Sequence, residues 1–162
     1  MKGKESMKLK TGEPAPDFSL PDQEGKEQTF SNYKGQWILL YFYPKDDTPG
    51  CTKEACALRD AFAAYKKLGA TIIGISVDPV QSHGKFVKKY TLPFALLSDE
   101  TRKVVKQYGA WGKKKFMGRE FEGTHRMSFL IDPEGAIAKI YEAVKPAAHA
   151  EEVLDDLRRL NK

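Results

Sequence analysis

Two runs of apolar residues, WILLYFY at 37–43 and TIIGISV at 71–77, constrain this chain more than any other feature. Neither alternates apolar with polar, so neither suits a strand with one wet face. Both suit strands covered on both faces. The cover is also written in the sequence. Between the runs, from Thr52 to about Leu68, the residues Ala55, Leu58, Phe62, Tyr65 and Leu68 recur at helical spacing, and Gly69 supplies a stop.

The rest of the chain extends the same alternation. MSFLI at 127–131 and AIAKIYEA at 136–143 read as strands, joined as a hairpin by the turn signal DPEG, and FALL at 94–97 is a shorter candidate. Ser82 or Asp78 is placed to cap a helix carrying Phe86, Val87 and Tyr90. Ser98 or Asp99 is placed to open another through Val104 and Val105 that ends at Gly109. In the final segment Val153, Leu154, Leu157 and Leu160 share one face, with acids early and Arg158 and Arg159 late, as the helix dipole favours. The order predicts a mixed β-sheet flanked by helices. At 162 residues one domain is expected, over 9–162, behind a basic tail at 1–8. WILLYFYP, a loop and a helix starting at a cysteine resemble a thioredoxin-like layout, an α/β fold with an N-terminal extension here.

No apolar run reaches the roughly 20 residues that span a bilayer, and MKGKESMKLK has no apolar signal core. A cytoplasmic protein with reduced thiols, away from membranes, is expected. The net charge of +5 includes the cluster Lys113, Lys114 and Lys115 beside Trp111 and Phe116. Without a nucleic-acid module signature it reads as a solvated loop rather than a nucleic-acid surface.

Both cysteines lie in YPKDDTPGCTKEAC, five residues apart at Cys51 and Cys56. A thioredoxin-type redox pair would be spaced Cys-x-x-Cys. In open α/β sheets chemistry gathers at the carboxyl ends of strands, and Cys51 lies just beyond one. At a helix start, free backbone N–H groups and the dipole favour a thiolate. An ordinary thiol is only a few per cent ionised at neutral pH. Making the anion predominant takes roughly 3 kcal/mol, whereas a helix terminus supplies about 0.3–1 kcal/mol, ~2 at best. The dipole falls short. A hydroxyl donor and a fixed cation would close the gap, since hydrogen bonds to charged groups contribute about 1.5–3 kcal/mol. Thr48 is close enough to be the donor, Pro44 and Pro49 restrict the loop, and Arg126 is the candidate cation, with Arg59 and Arg119 as competitors.

On a helix, five residues turn through about 500°, so Cys51 and Cys56 point about 140° apart with α-carbons roughly 8.6 Å apart. A disulfide needs less than ~7 Å. Both thiols can stay folded on the helix, and bonding them requires its first turns to unwind.

Pro44-x-x-x-Thr48-x-x-Cys51 resembles the active-site motif of the peroxiredoxins. The Cys-x-x-x-x-Cys spacing, YGAWGKKKFMG and THRMSFLIDPEG resemble the bacterioferritin-comigratory, or peroxiredoxin Q, subgroup, over nearly the whole chain. The resemblance implies a thiol peroxidase without metal, flavin or haem, acting on hydrogen peroxide and alkyl hydroperoxides and recycled by thioredoxin or a similar dithiol. Cys51 would be the attacking thiolate and become a sulfenic acid. Thr48 would hydrogen-bond the peroxide oxygens and the sulfur, Pro44 would shield the site, and Arg126 would stabilise thiolate and polarised O–O bond. Glu54 would orient an arginine. Cys56 would resolve the sulfenic acid as a Cys51–Cys56 disulfide within one monomer. Ser128 departs from the threonine usual in the subgroup, which points to altered packing beside Arg126.

Two rivals come from other classes. A thioredoxin-like copper-binding assembly protein would use Cys51, Cys56 and His125, as soft thiolates with imidazole suit copper. Such proteins present Cys-x-x-x-Cys, however, and would leave Pro44 and Thr48 without a role. A general thiol–disulfide oxidoreductase lacks its Cys-x-x-Cys. His83 and His149 read as capping or solvated residues, and Trp111 with Phe116 either forms an apolar lip at the site or packs its own loop.

Overall fold

The computed structural model describes residues 8–161, so nearly all of the expected basic tail lies outside the described residues. The centre is a five-stranded mixed sheet in the order β5-β4-β3-β8-β9, formed by β3 (Trp37–Phe42), β4 (Ala70–Ser76), β5 (Ala95–Ser98), β8 (Met127–Ile131) and β9 (Ile137–Tyr141). β3, β4 and β5 run parallel, whereas β8 and β9 are antiparallel additions on the other side of β3.

The unbroken run at 37–43 is explained by its two faces. Trp37, Leu39, Tyr41 and Tyr43 enter one core, together with Leu58 and Tyr65 of α1 (Pro49–Lys67), Phe86 of α2 (Val80–Tyr90), and Val153 and Leu157 of α4 (His149–Leu160). Ile38, Leu40 and Phe42 enter a second core with Val104 and Val105 of α3 (Lys103–Gln107), Phe129, and the N-terminal Phe18 and Phe30. Gly69 and Gly109 both take positive φ, ending α1 and α3 as their sequence positions predict. The acids and bases of α4 sit at the expected ends, but Leu160 is exposed rather than packed.

Several expectations are corrected. α1 starts at Pro49, three residues early, because proline suits a first helical position and has no N–H to leave unpaired. Neither Ser82 nor Asp78 caps α2: its N-cap is Pro79, with no side-chain cap bond. Asp78 instead accepts the Asp46 N–H and the Ser76 hydroxyl. Ser98 does not open α3 either, since its hydroxyl donates to the Asp78 carbonyl. Asp99 accepts the Val105 N–H from outside α3, which is preceded by Arg102 in the left-handed region.

Two hairpins were not foreseen. β1 (Ser19–Pro21) pairs with β2 (Glu27–Thr29) in the N-terminal extension. The segment read as a lysine-rich loop is a hairpin of β6 (Trp111–Phe116) and β7 (Arg119–Thr124). Its two turn residues, Met117 and Gly118, both have positive φ, the backbone that matches strand twist in a two-residue turn. Those strands are largely exposed, so no apolar alternation marks them.

Gly74 of β4 lies beneath the Tyr41 ring. A Cβ there would sit 2.8 Å from Leu96 Cδ2 and 2.9 Å from Tyr41 Cε1 and Cζ. Gly74→Ala is expected to cost about 1–3 kcal/mol through overpacking. Urea unfolding should show a lower midpoint with an unchanged slope; an unchanged midpoint would contradict this packing.

Candidate active site

Antiparallel pairing of β3 with β8 sets Phe42 opposite Met127. The end of β3, which leads into the loop before α1, therefore lies beside the start of β8, which carries Arg126. In this way residues 75 apart in sequence meet: Arg126 Nη1 donates to Cys51 Sγ at 3.4 Å. The same nitrogen donates to Glu54 Oε1 at 2.9 Å. Cys51 and Glu54 are three apart on α1 and share a face, so one guanidinium spans both. Cys51 is 2% exposed and Glu54 0%.

The competing arginines are engaged elsewhere. Arg59 binds Asp60 and the Tyr90 carbonyl, and Arg119 lies exposed at the turn of the β6–β7 hairpin. Space around Arg126 is tight, for a Cβ on Gly50 would approach its Nη2 to 2.9 Å. Burial disfavours the guanidinium's charge, but the Cys51 sulfur and the Glu54 carboxylate together hold its pKa above the ordinary value.

Glu54 carries the opposite stress. Burial pushes its carboxyl up from 4.5 to about 7, while the Arg126 hydrogen bond and charge pull it down. A 2.9 Å ion pair alone would argue for a low value. Burial outweighs it because only one carboxylate oxygen has a partner, and Oε2 is buried with none. The Tyr41 hydroxyl is also buried without a partner, its pKa raised by burial first and then by the charges of Glu54 and Cys51.

Thr48 occupies the N-cap position of α1, but its hydroxyl donates to the Lys45 carbonyl at 2.8 Å and not to the sulfur. Pro44 lies half-buried in the same loop. The Thr52 N–H donates to the Thr48 carbonyl, so those of Gly50 and Cys51 have no intrahelical acceptor. Both cysteines are free thiols, Cys51 buried and Cys56 half-buried further along α1.

The histidines were misread. His83 and His149 are both fully buried, and His149 Nε2 pairs at 2.8 Å with Ser128, whose partner is therefore this ring and not Arg126. His125 packs its ring against Gly112 of the β6–β7 hairpin. Cys51, Cys56 and His125 do not converge as metal ligands. Among the described residues, the trio with clustered donor atoms is Asp46, Asp78 and His83. Phe116 is 67% exposed near the hairpin tip, whereas Trp111 packs with the opposite core beneath Arg102. Lys114 was missed. Burial, and then the charge of Arg126, hold its ammonium below the ordinary value while Cys51 opposes the shift, which places this lysine at the margin of the site.

A family model described as AhpC/TSA family matches residues 11–140. Peroxiredoxin Bcp of Escherichia coli (strain K12) is 47% identical over 150 residues, covering 93% of this chain and 96% of that protein. Among solved structures, the Xanthomonas campestris bacterioferritin comigratory protein, described for its alkyl peroxide reduction activity, is similar at a TM-score of 0.85. It shares 34% identity over 90% of this chain and 92% of its own. A cysteine-to-serine mutant of Xylella fastidiosa PrxQ gives a TM-score of 0.91 at 31% identity, covering 96% and 99%.

The raised Glu54 carboxyl has a signed consequence. Between pH 4.5 and about 7 the folded state keeps a proton that the unfolded state has lost. This contribution is fully present below about 4.5 and is lost as pH rises through about 7, on the order of 3 kcal/mol in all. Denaturant midpoints from pH 4.5 to 8 should therefore fall less steeply in Glu54→Gln than in the wild type. Parallel profiles would show that Glu54 is ionised throughout.

Proposed function

We propose, for a chain that belongs to the AhpC/TSA family and is a thiol-dependent peroxidase of the Bcp and peroxiredoxin Q kind, that Cys51 is the sulfur that attacks peroxide. The observation that carries this reading is the Arg126 guanidinium donating to Cys51 Sγ while Glu54 holds it in place. A guanidinium at this distance is a charged donor aimed at the attacking atom, which a helix terminus alone does not provide.

The Cys51 thiolate displaces the nearer peroxide oxygen's partner: an S–O bond forms, the O–O bond breaks, and the leaving alkoxide or hydroxide takes up a proton to give alcohol or water. Sulfur is oxidised to sulfenic acid and peroxide is reduced. Thr48, while donating to Lys45, keeps lone pairs that can accept a peroxide hydrogen, and Arg126 with the free N–H groups of Gly50 and Cys51 faces the oxygens. Pro44 shields the sulfur from bulk water. In the second step the Cys56 thiol attacks the sulfenic acid, releasing water and leaving a Cys51–Cys56 disulfide. Both cysteines lie on α1, so its first turns unwind for this bond. A dithiol such as thioredoxin then restores both thiols.

The chain works as one domain over 9–162 and as a monomer, since it carries its own resolving thiol. It acts in the cytoplasm. Among the described residues no helix is long and apolar enough to cross a membrane. The alkyl peroxide reduction described for the Xanthomonas campestris protein supports alkyl hydroperoxides beside hydrogen peroxide as substrates.

Cys51→Ser should abolish peroxide consumption. Cys56→Ser should keep the first stopped-flow turnover and lose sustained turnover with thioredoxin, so undiminished steady-state activity would remove Cys56 from the cycle. Arg126→Lys should slow the first step roughly 10- to 100-fold, from about 1.5–3 kcal/mol of charge-assisted hydrogen bonding. A wild-type rate would show that the guanidinium is dispensable.

A further inference from the structure

The loop that delivers the chain to Cys51 is held from below by a buried polar cluster that the peroxidase chemistry does not use. Asp46 Oδ1 accepts the Tyr43 hydroxyl at 2.6 Å, and Oδ2 accepts the Ser82 hydroxyl and pairs with His83 Nδ1, both at 2.7 Å. The Asp46 N–H donates to Asp78 Oδ2 at 2.8 Å. His83 is 0% exposed, and its Nε2 lies 3.0 Å from the Leu97 carbonyl. A carbonyl only accepts, so Nε2 carries its hydrogen. The Asp46 carboxylate only accepts as well, so a further proton lies between Nδ1 and Oδ2. The next residue is gripped by the same helix. Asp47, at φ +56°, accepts Lys89 at 2.9 Å and the Tyr90 hydroxyl at 2.8 Å. Downstream, Arg59 of α1 donates to the Tyr90 carbonyl at 2.8 Å. α2 thus holds the chain at Asp46 and Asp47 on one side of Cys51–Cys56 and at Arg59 on the other.

The donor atoms of Asp46, Asp78 and His83 lie within 4.8 Å of one another. They are not arranged as a metal site, because the atoms named above already engage protein partners and 2.7 Å between nitrogen and oxygen accommodates a proton.

We propose that His83 and Asp46 are positioning residues that pin the active-site loop to α2 and thereby set how readily the first two turns of α1 unwind. For the disulfide step this rests on the resolving role of Cys56. The pinned loop presents Pro44 and Thr48 in the folded site, and a segment anchored at both ends has less freedom to gain by melting. Removing the imidazole leaves a buried carboxylate without its main partner, so the loop swings out toward water and the start of α1 frays.

The test is amide exchange of residues 52–56 in the reduced protein, with the rate of Cys51–Cys56 bond formation after one equivalent of hydrogen peroxide. His83→Ala should speed exchange of these amides at least tenfold and accelerate the disulfide step. Val105→Ala, a core truncation on the opposite face, controls for general destabilisation. Should His83→Ala not fold, Tyr90→Phe releases the adjacent grip on Asp47 and should move exchange in the same direction. The proposal is overturned if His83→Ala, or Tyr90→Phe in its place, raises exchange at 52–56 no more than Val105→Ala. A wild type that forms no Cys51–Cys56 bond would instead overturn the resolving role of Cys56, with the exchange comparison still deciding the clamp.

Discussion

One guanidinium organises this site. A thiolate and a carboxylate on the same helical face would repel each other, and burial would drive both toward their neutral forms. Arg126 meets each with a single nitrogen, and in return its charge is held firmly despite burial. The fold delivers this cation through strand order. Antiparallel β8 beside β3 brings Arg126 to the point where β3 hands the chain on to α1. The parallel strands and the two cores then fix that crossing.

The arrangement is not one of maximum stability. The Glu54 Oε2 and the Tyr41 hydroxyl are buried without partners, and the start of α1 lacks a side-chain cap. Such deficits are characteristic of places where function is favoured over stability. Here they surround the helix start that holds Cys51. The firmer contacts lie just outside, where α2 grips Asp46, Asp47 and Arg59.

The family resemblance of the chain could be read from residues close in sequence, because Pro44, Thr48 and Cys51 report a local loop-to-helix geometry. The sheet strands were legible because being covered on both faces demands continuous apolar runs, as at 37–43 and 71–77. The β6–β7 hairpin was not, since an exposed pair of strands imposes no apolar pattern and its turn places a methionine at positive φ. His83 and His149 looked like surface residues because the partners that bury them are distant in sequence. Asp46 and Leu97 meet His83, and Ser128 meets His149, which also pairs with nearby Glu152.

The sequence by itself determined the strands of the central sheet and the helices, the position of Cys51 at a helix start, and the angular separation that keeps Cys56 away from Cys51. These follow from backbone periodicity, which acts over a few residues. Only the tertiary structure decided which of three arginines reaches the sulfur, that Glu54 is buried rather than a surface acid, and that His83 pairs with Asp46. Each depends on how strands are ordered and which faces are buried, and charge and hydrogen-bond partners are assigned only once distant segments are brought within a few ångströms.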